Sequence, residues 1–453
     1  MPKTSSDKHL LLKGTFILTA TGFITRIIGF FYRIFLSHTF GEEGVGLYQL
    51  IFPVYALCFS FTCAGLQLAI SRCVARYKAS GNTRRAMECL YGGLSLSVIL
   101  SVCVMFLLQN NNEVIALRFL GDVRCAPLLS AMAYAFPFAS IHSCIVGYYI
   151  GLKATKIPAI SQLVEQVFRI VSVYALYIAL SKNHANLSVT VAVCGLVFGE
   201  ISSAAFILWN FGRSIPHLPQ KENHMLSSFF ETTWLSIPLT ANRIMLNILQ
   251  SIEAVSIPAK LLLYGYTTKE ALSIYGVLTG MALPCILFPS AISNSIATML
   301  LPAVAEMQSN DSSKALKTLT RKVSIVCIML GSGCTVLFLV SARFIGETVF
   351  QSPLAGKFIF ILAWICPFLY VSTTLISTLN GLGKTFLTLC INVLGLCIRI
   401  GGVFFLTPFY GIKGYLYGLL ISQIVVTLLC YVSLWFYLLP KVKKHQARPS
   451  EGF

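Results

Sequence analysis

Residues 134–170 read YAFPFASIHSCIVGYYIGLKATKIPAISQLVEQVFRI, and residues 364–400 read WICPFLYVSTTLISTLNGLGKTFLTLCINVLGLCIRI. Aligned at an offset of 230 positions (364 − 134), the two stretches share a proline, a Gly-Leu pair and, just before the last residue, an arginine, Arg169 in the first stretch and Arg399 in the second. The same offset superposes Gly46 on Gly276 in a second block well upstream. Two blocks in one register indicate an internal repeat, so the chain is predicted to consist of two similar halves.

The composition is that of a polytopic membrane protein. Of its 453 residues, 56% are hydrophobic and only 11% are charged, and the mean hydropathy is +0.78. A helix needs about 20 apolar residues to cross the hydrocarbon layer. By that measure the sequence predicts twelve transmembrane helices, near residues 12–36, 46–71, 87–108, 126–150, 157–180, 188–211, 229–260, 272–303, 322–346, 357–380, 385–407 and 412–439.

Each half of the repeat would contain six of these helices. Because six is an even number, both halves enter the membrane in the same sense, which predicts a parallel repeat with the substrate path between the lobes. We therefore predict an all-α membrane fold with two six-helix lobes, residues 1–220 and 221–453. The polar stretch 212–228 is expected to link them.

The basic excess of the chain follows membrane topology. The net charge is +18, and lysines and arginines cluster in the loop 72–85 and in the tail after residue 440. The positive-inside rule then places both termini in the cytoplasm, so the charge does not call for a nucleic-acid partner. The 15 cysteines show no CxxC or Cys/His ligand spacing, and no disulfide, metal or cofactor is predicted.

Five arginines lie inside the predicted helices: Arg26, Arg33, Arg169, Arg243 and Arg399. A charge near the bilayer centre costs at least about 2.5–3.5 kcal/mol, so such residues usually face a water-filled cavity. No aspartate lies in any predicted helix. A cavity with fixed positive charge suits an anionic substrate, and the guanidinium group matches phosphate with two parallel hydrogen bonds.

Two helices carry a continuous polar face. In the first helix, residues spaced by three or four form the series Thr15, Thr19, Gly22, Arg26, Gly29 and Arg33. In the seventh helix, the face consists of Arg243, Asn247, Gln250 and Glu253, with Asn242 beside it. Both faces are predicted to line the cavity. The alternatives are a helix-packing seam and, for Arg33, snorkelling to the membrane interface.

The fifth and eleventh helices also carry polar residues. Gln162 and Asn392 are repeat-equivalent and are predicted to line the cavity. Glu165 lies one turn from Arg169, so a neutralising pair is as consistent with the sequence as a phosphate-binding role. Glu200, in the sixth helix, is with Glu165 a candidate for ion coupling. His142 is predicted to be a buried imidazole with a hydrogen-bond partner.

The run KGTFILTATGFITRIIGFFYRIFLSHTFGEEGVGLYQLIFPVYAL (13–57) closely resembles the start of the stage V sporulation protein B family, polysaccharide exporters related to lipid II flippases. The run IPAKLLLYGYTTKEALSIYGVLTGMALPCILFPSAISNSIATMLLPAVAE (257–306) resembles the region of helices 7 and 8 in that family. The resemblance covers nearly the whole chain.

This resemblance implies the fold of the multidrug/oligosaccharidyl-lipid/polysaccharide exporter superfamily. It also implies a lipid-linked saccharide as cargo, the bacterial plasma membrane as location, and cell-wall synthesis proteins as candidate partners. In the lipid II flippases, helix 1 carries a Ser-Arg-x-x-Gly-Phe-x-Arg pattern whose arginines serve transport. Here TRIIGFFYR (25–33) keeps the first arginine as Arg26, while Arg33 falls one place after the second.

The predicted function is a flippase for an undecaprenyl-pyrophosphate-linked saccharide, with lipid II as the first candidate, working by alternating access from the inner to the outer leaflet. The alternative is a cation-coupled multidrug exporter on the same fold, which would need carboxylates in its cavity. An enzyme acting on the same lipid would need a positioned acidic base and often a metal. The chain is therefore predicted not to be an enzyme.

Overall fold

The computed structural model describes residues 5–182, 188–214, 225–309 and 313–438. The predicted lobe boundary at 220/221, much of the predicted linker 212–228, and the basic tail after residue 440 lie outside these ranges. Asp311 and the side chain of Thr15 also lie outside the described part of the chain.

Within these ranges the twelve long helices follow the predicted order, and we label them α1 to α12. They are α1 Ser5–Leu50, α2 52–79, α3 Thr83–Asn110, α4 Val123–Ala133 with Ala135–Gly151, α5 Lys156–Lys182, α6 Thr190–Ser214, α7 Met225–Tyr264, α8 Thr268–Leu287 with Ser290–Ser309, α9 Ser313–Phe344, α10 Pro353–Gly381, α11 Thr385–Tyr410 and α12 Ile412–Leu438. A short helix at 112–120 lies between α3 and α4.

The number of membrane crossings agrees with the prediction. Among the described residues, ten helices are long and apolar enough to cross a membrane, and the pair in α4, bent by 47°, makes an eleventh. One of the ten, Thr19–Ala79, has 61 residues, about 90 Å of helix, which is about three times the hydrocarbon thickness. It must therefore cross twice. The turn is a kink at Gly41, whose φ of 67° favours glycine, where the sequence predicted a loop.

The backbone confirms the repeat at the predicted offset. Left-handed conformations occur at Gly121 and Gln351, with φ of 77° and 53°, and at Lys153 and Gly383, with φ of 63° and 74°. Both pairs are separated by 230 residues (351 − 121 and 383 − 153). Because a left-handed lysine or glutamine is uncommon, its recurrence at this offset indicates equivalent turns rather than chance.

Helix packing is duplicated at the same offset. A Cβ on Gly151 would lie 2.7 Å from the Ser71 carbonyl oxygen, and one on Gly381 would lie 2.8 Å from the Leu301 carbonyl oxygen. Ser71 and Leu301 are themselves repeat-equivalent (301 − 71 = 230). Each glycine therefore allows the same close approach of two helices, α4 on α2 in one lobe and α10 on α8 in the other.

The two lobes meet at a point of local two-fold symmetry. A Cβ on Gly46 would lie 2.2 Å from the Leu272 carbonyl oxygen, and one on Gly276 would lie 2.4 Å from the Glu42 carbonyl oxygen. Since Glu42 and Leu272 are also repeat-equivalent, the contact is reciprocal, as in an isologous interface. The pseudo-two-fold axis relating the lobes passes between the two glycines.

Polar contacts around these glycines close one end of the space between the lobes. We call this contact the lobe seal, formed by residues 37–46 against 272–281 and 349–352. Ser37 Oγ donates to the Phe350 carbonyl at 2.8 Å, and Ser352 Oγ donates to the Glu42 carboxylate. At the opposite end, α7 of the second lobe packs against α2 and α3 of the first, and Arg76 Nη2 lies 2.8 Å from Glu231 Oε1. There α2 beyond residue 65 and α8 beyond residue 290 form no comparable interface with each other in the described ranges.

Candidate functional site: an arginine-lined cavity between the lobes

A cavity of about 600 Å³ lies between α1 and α8, next to α5. This volume falls within the range of about 300–1,000 Å³ that is usual for small-molecule sites. Its polar lining consists of Thr25, Arg26, Arg33, Gln166, Thr279, Ser290 and Asn294. Its apolar lining includes Phe30, Leu283, Pro284, Leu287 and Phe288.

Both arginines of α1 line this cavity. Their spacing of seven residues is two helical turns, so they lie on one face about 10.5 Å apart along the axis. Arg26 Nη1 lies 3.5 Å from Ser290 Oγ. Arg33 Nη1 donates to the carbonyls of Thr279 and Gly280 at 3.4 and 3.3 Å. Arg33 therefore faces the cavity, whereas the alternative was snorkelling to the interface.

The charge of these two arginines is not offset within the cavity. Their hydrogen-bond partners are a hydroxyl and two carbonyl oxygens at long distances, and no acidic side chain lines the cavity among the described residues. Fixed positive charge in a cleft with low-dielectric walls attracts anions. The cavity is therefore suited to an anionic ligand.

The repeat-equivalent arginines differ from this pair because each has a carboxylate partner. Arg169 Nη2 lies 2.5 Å from Glu165 Oε1, the pair considered from the sequence. Arg399 Nε lies 2.7 Å from Glu253 Oε1, and Tyr415 donates its hydroxyl to the same oxygen at 2.8 Å. A carboxylate already offsets each of these charges, so their predicted role in binding pyrophosphate stays a prediction.

The polar face of α7 divides into two parts. Asn247 donates to the Ala56 carbonyl at 3.3 Å and to Ser60 Oγ, and the Glu253 side chain is buried against Arg399. Asn247 and Glu253 therefore contribute to packing between helices, which was the alternative to lining the cavity. The remaining three predicted residues are exposed: Asn242, Arg243 and Gln250. Arg243 has no hydrogen bond or ion pair with any described residue.

Two further residues that were predicted to line the cavity do not line it in the structure. Thr19, in α1, and Asn392, in α11, are half-buried, and neither lies among the residues that line the cavity. Their predicted role as polar lining stays a prediction.

A second, smaller cavity of about 320 Å³ lies inside the first lobe and brings together Gln162, Glu165, Glu200 and His142. Ligand atoms of His142, Glu165 and Glu200 lie within 4.8 Å of one another. His142 Nε2 is 3.0 Å from Ser161 Oγ, so the imidazole has the predicted partner. The two candidate ion-coupling carboxylates therefore share one site.

Only one of the two carboxylates in this second cavity is paired with an arginine. Arg169 offsets one carboxylate, Glu165, at 2.5 Å. Glu200 is buried, accepts a hydrogen bond from the Tyr55 hydroxyl at 3.0 Å, and lies 3.9 Å from His142 Nδ1. A buried carboxylate without a cationic partner is costly, so the site favours a proton or a bound cation.

Four polar residues of the inter-lobe cavity were not among the predicted site residues: Gln166, Thr279, Ser290 and Asn294. Two of these four residues could have been found from the spacing of nearby residues in the sequence. Ser290 and Asn294 lie one turn apart in α8, so their spacing could have indicated a polar face opposite α1. For Gln166 and Thr279, the sequence alone gives no indication of which helix they face.

These features define a polytopic membrane protein of the two-lobed transporter fold, with an arginine-lined cavity between its lobes. The family described as polysaccharide biosynthesis protein matches residues 11–308, and the chain belongs to that family.

The relatives of the chain agree with the resemblance drawn from its sequence. It is 28% identical over 429 residues to the stage V sporulation protein B of Bacillus subtilis (strain 168), covering 93% of this chain and 83% of that protein. It is 22% identical over 424 residues to the lipid II flippase MurJ of the same organism, covering 86% and 76%.

Solved structures confirm the predicted fold. The inward closed conformation of the lipid II flippase MurJ superposes with a TM-score of 0.72 at 14% identity, covering 93% of this chain and 87% of that one. An inward-facing multidrug resistance transporter of the MATE family gives 0.71 at 13% identity, covering 92% and 94%. At these identities the similarity establishes the architecture alone.

Proposed function

We propose that this protein is a flippase that moves a pyrophosphate-linked polyprenyl saccharide across the membrane, with lipid II as the first candidate cargo. The observation that carries the proposal is the pair Arg26 and Arg33, two uncompensated cations in a cavity that no described acidic side chain lines. The names of the two relatives, a sporulation protein and a lipid II flippase, support the same class of cargo.

The physical task of such a protein is to carry about two negative charges through a medium of low dielectric constant. Guanidinium groups replace the water around phosphate oxygens with charge-assisted hydrogen bonds, which are roughly twice as strong as neutral ones. Arg26 and Arg33 would hold the pyrophosphate, the saccharide would occupy the cavity, and the polyprenyl chain would remain in the lipid.

The lobe seal supports alternating access as the mechanism. The lobes touch at one end through Gly46 and Gly276. At the other end α7 packs against α2 and α3, but α2 beyond residue 65 and α8 beyond residue 290 form no comparable contact with each other in the described ranges. Rocking of two repeat-related lobes around a fixed site exposes that site to each side in turn. The positive-inside rule places the closed end outside, so this state would load cargo from the cytoplasmic leaflet.

Transport by the purified protein in proteoliposomes tests this function. We expect a labelled undecaprenyl-pyrophosphate saccharide to reach the opposite leaflet at least about tenfold faster than in protein-free vesicles. The same saccharide on a polyprenyl chain without phosphate should not move. Transport of a cationic drug, with no movement of the pyrophosphate lipid, would instead favour the multidrug-exporter alternative.

Rescue of a bacterium depleted of its lipid II flippase would identify the cargo more narrowly. Growth after expression of this protein would support lipid II. Lack of rescue by a protein that flips pyrophosphate lipids in vesicles would indicate a different lipid-linked saccharide.

We further propose that Glu200, with Glu165, couples transport to a proton or sodium gradient. The support is the charge imbalance in the cavity of the first lobe, where Arg169 offsets only one of the two carboxylates. Binding of a cation to Glu200 would remove that imbalance and favour one arrangement of α2, α4, α5 and α6 over another.

Replacing Glu200 by Gln is expected to remove this coupling. The amide keeps the size of the side chain but cannot exchange a proton or balance a cation. Transport in proteoliposomes should therefore lose most of its response, about tenfold, to imposed proton and sodium gradients. The matched control is Glu113→Gln, at an exposed position outside both cavities. An unchanged gradient response in Glu200→Gln would rule out this role.

A further inference from the structure

The second lobe has a groove on its outer surface that belongs to neither cavity. It holds about 380 Å³ and runs between α9 and α12, with α10 beneath it. One end carries two basic residues, Lys317 and Arg321, and the other end is apolar, with Ile325 and Ile328. The α12 wall contributes Tyr431 and Trp435.

The groove has the dimensions of one membrane leaflet. Lys317, Arg321, Ile325 and Ile328 recur on α9 at spacings of four, four and three, so they form one helical face, and Thr320 and Ser324 lie beside them. From Lys317 to Ile328 there are 11 residues (328 − 317), or about 16 Å of helix, close to half of the hydrocarbon layer. Tyr431 and Trp435 are 61% and 53% exposed, as expected for aromatic residues at the membrane interface. The basic end therefore lies at headgroup level.

No described residue offsets the charge of the basic end. Neither Lys317 nor Arg321 has a hydrogen bond or ion pair with any residue that the structure describes. The repeat offset maps them onto Met87 and Tyr91 of the first lobe, which are uncharged. The basic pair is therefore specific to the second lobe, and the repeat fold does not require it.

We propose that this groove binds an anionic phospholipid of the bilayer. The phosphate group would lie between Lys317 and Arg321, and an acyl chain would lie along Ile325 and Ile328 against the α12 wall. Basic pockets between transmembrane helices recognise anionic headgroups, and each lysine or arginine near the surface favours an anionic over a neutral lipid. A lipid without net charge would gain only the apolar contacts. This inference does not depend on the cargo of the inter-lobe cavity.

Lipid binding to the full-length protein in nanodiscs tests the proposal. Phosphatidylglycerol should bind about 30-fold more tightly than phosphatidylcholine, and salt should weaken that preference. The variant Lys317→Gln/Arg321→Gln should bind phosphatidylglycerol about 30-fold more weakly and phosphatidylcholine as before. The matched control is Lys322→Gln/Lys357→Gln, two exposed lysines outside the groove, which should leave both affinities unchanged.

A second variant separates the groove from general surface charge. Ile328→Trp fills the apolar end, so it should weaken the binding of both lipids while the basic pair remains. Equal binding of the two lipids by the unmodified protein would overturn the proposal, and so would an unchanged phosphatidylglycerol affinity in both variants. Tighter binding of a polyprenyl pyrophosphate than of phosphatidylglycerol at this groove would make it a cargo site and would also overturn the proposal.

Discussion

Proteoliposomes containing the variant Arg26→Gln/Arg33→Gln are expected to transport the pyrophosphate-linked saccharide at least about a hundredfold more slowly than the unmodified protein. Each hydrogen bond to a charged group contributes about 1.5–3 kcal/mol, so losing two corresponds to more than a hundredfold. No other charged side chain lines the cavity in the described ranges, so no described cation there can replace them. The rate of lipid movement between leaflets is the measurement.

Two matched variants make this experiment specific. Arg118→Gln/Arg343→Gln removes two exposed arginines outside the cavity and should transport normally. Arg26→Lys/Arg33→Lys keeps the charge but loses the planar guanidinium group. Its transport rate should therefore fall between those of Arg26→Gln/Arg33→Gln and the Arg118→Gln/Arg343→Gln control. Unfolding temperatures in detergent should agree among all variants. Normal transport by the double Gln variant would exclude a role for these arginines in holding the cargo.

The same substitution at Arg169 or Arg399 would not test cargo binding. Each of these arginines is paired with a carboxylate, and removing one partner of a buried pair leaves the other charge unpaired, which commonly costs about 3–5 kcal/mol. A loss of transport would then reflect loss of folding. Reading all five intramembrane arginines as equivalent is therefore not supported by their contacts.

Features that are periodic along the chain could be predicted from the sequence. The seven-residue spacing of Arg26 and Arg33 places both on one face of α1, and the structure has both in one cavity. The offset of 230 predicted a repeat that now appears in turns and helix contacts, as at Gly151 and Gly381. These predictions succeed because the spacing of two residues along a helix determines whether their side chains lie on the same face.

Contacts between distant helices could not be predicted in the same way. Arg399 and Glu253 are 146 residues apart, and nothing in the local pattern of α7 or α11 indicates that they meet. The sequence also aligned Gly46 with Gly276 without indicating that the two glycines touch. Equivalence in a repeat states only that two residues have similar surroundings. Contact between them additionally requires that the symmetry axis pass nearby.

That contact leads to the second prediction, for the variant Gly46→Ala. The added methyl group would lie 2.2 Å from the Leu272 carbonyl oxygen, a backbone atom that cannot rotate away. The lobe seal would have to open, because such overpacking costs about 3 kcal/mol, or more than a hundredfold in the balance between closed and open seals. We expect the distance between spin labels at Glu113 and Lys357 to increase and transport to fall about a hundredfold.

The control for this variant is Gly333→Ala, since no atom lies within 4 Å of a Cβ at Gly333. It adds the same methyl group to a helix of the second lobe and should change neither the label distance nor transport. Gly276→Ala should reproduce the effect of Gly46→Ala, because its methyl group would lie 2.4 Å from the Glu42 carbonyl oxygen. If Gly46→Ala keeps the label distance of the Gly333→Ala protein, the seal tolerates the overlap and is not the rigid contact that alternating access requires. A wider label distance with normal transport would mean that this seal need not close during the cycle.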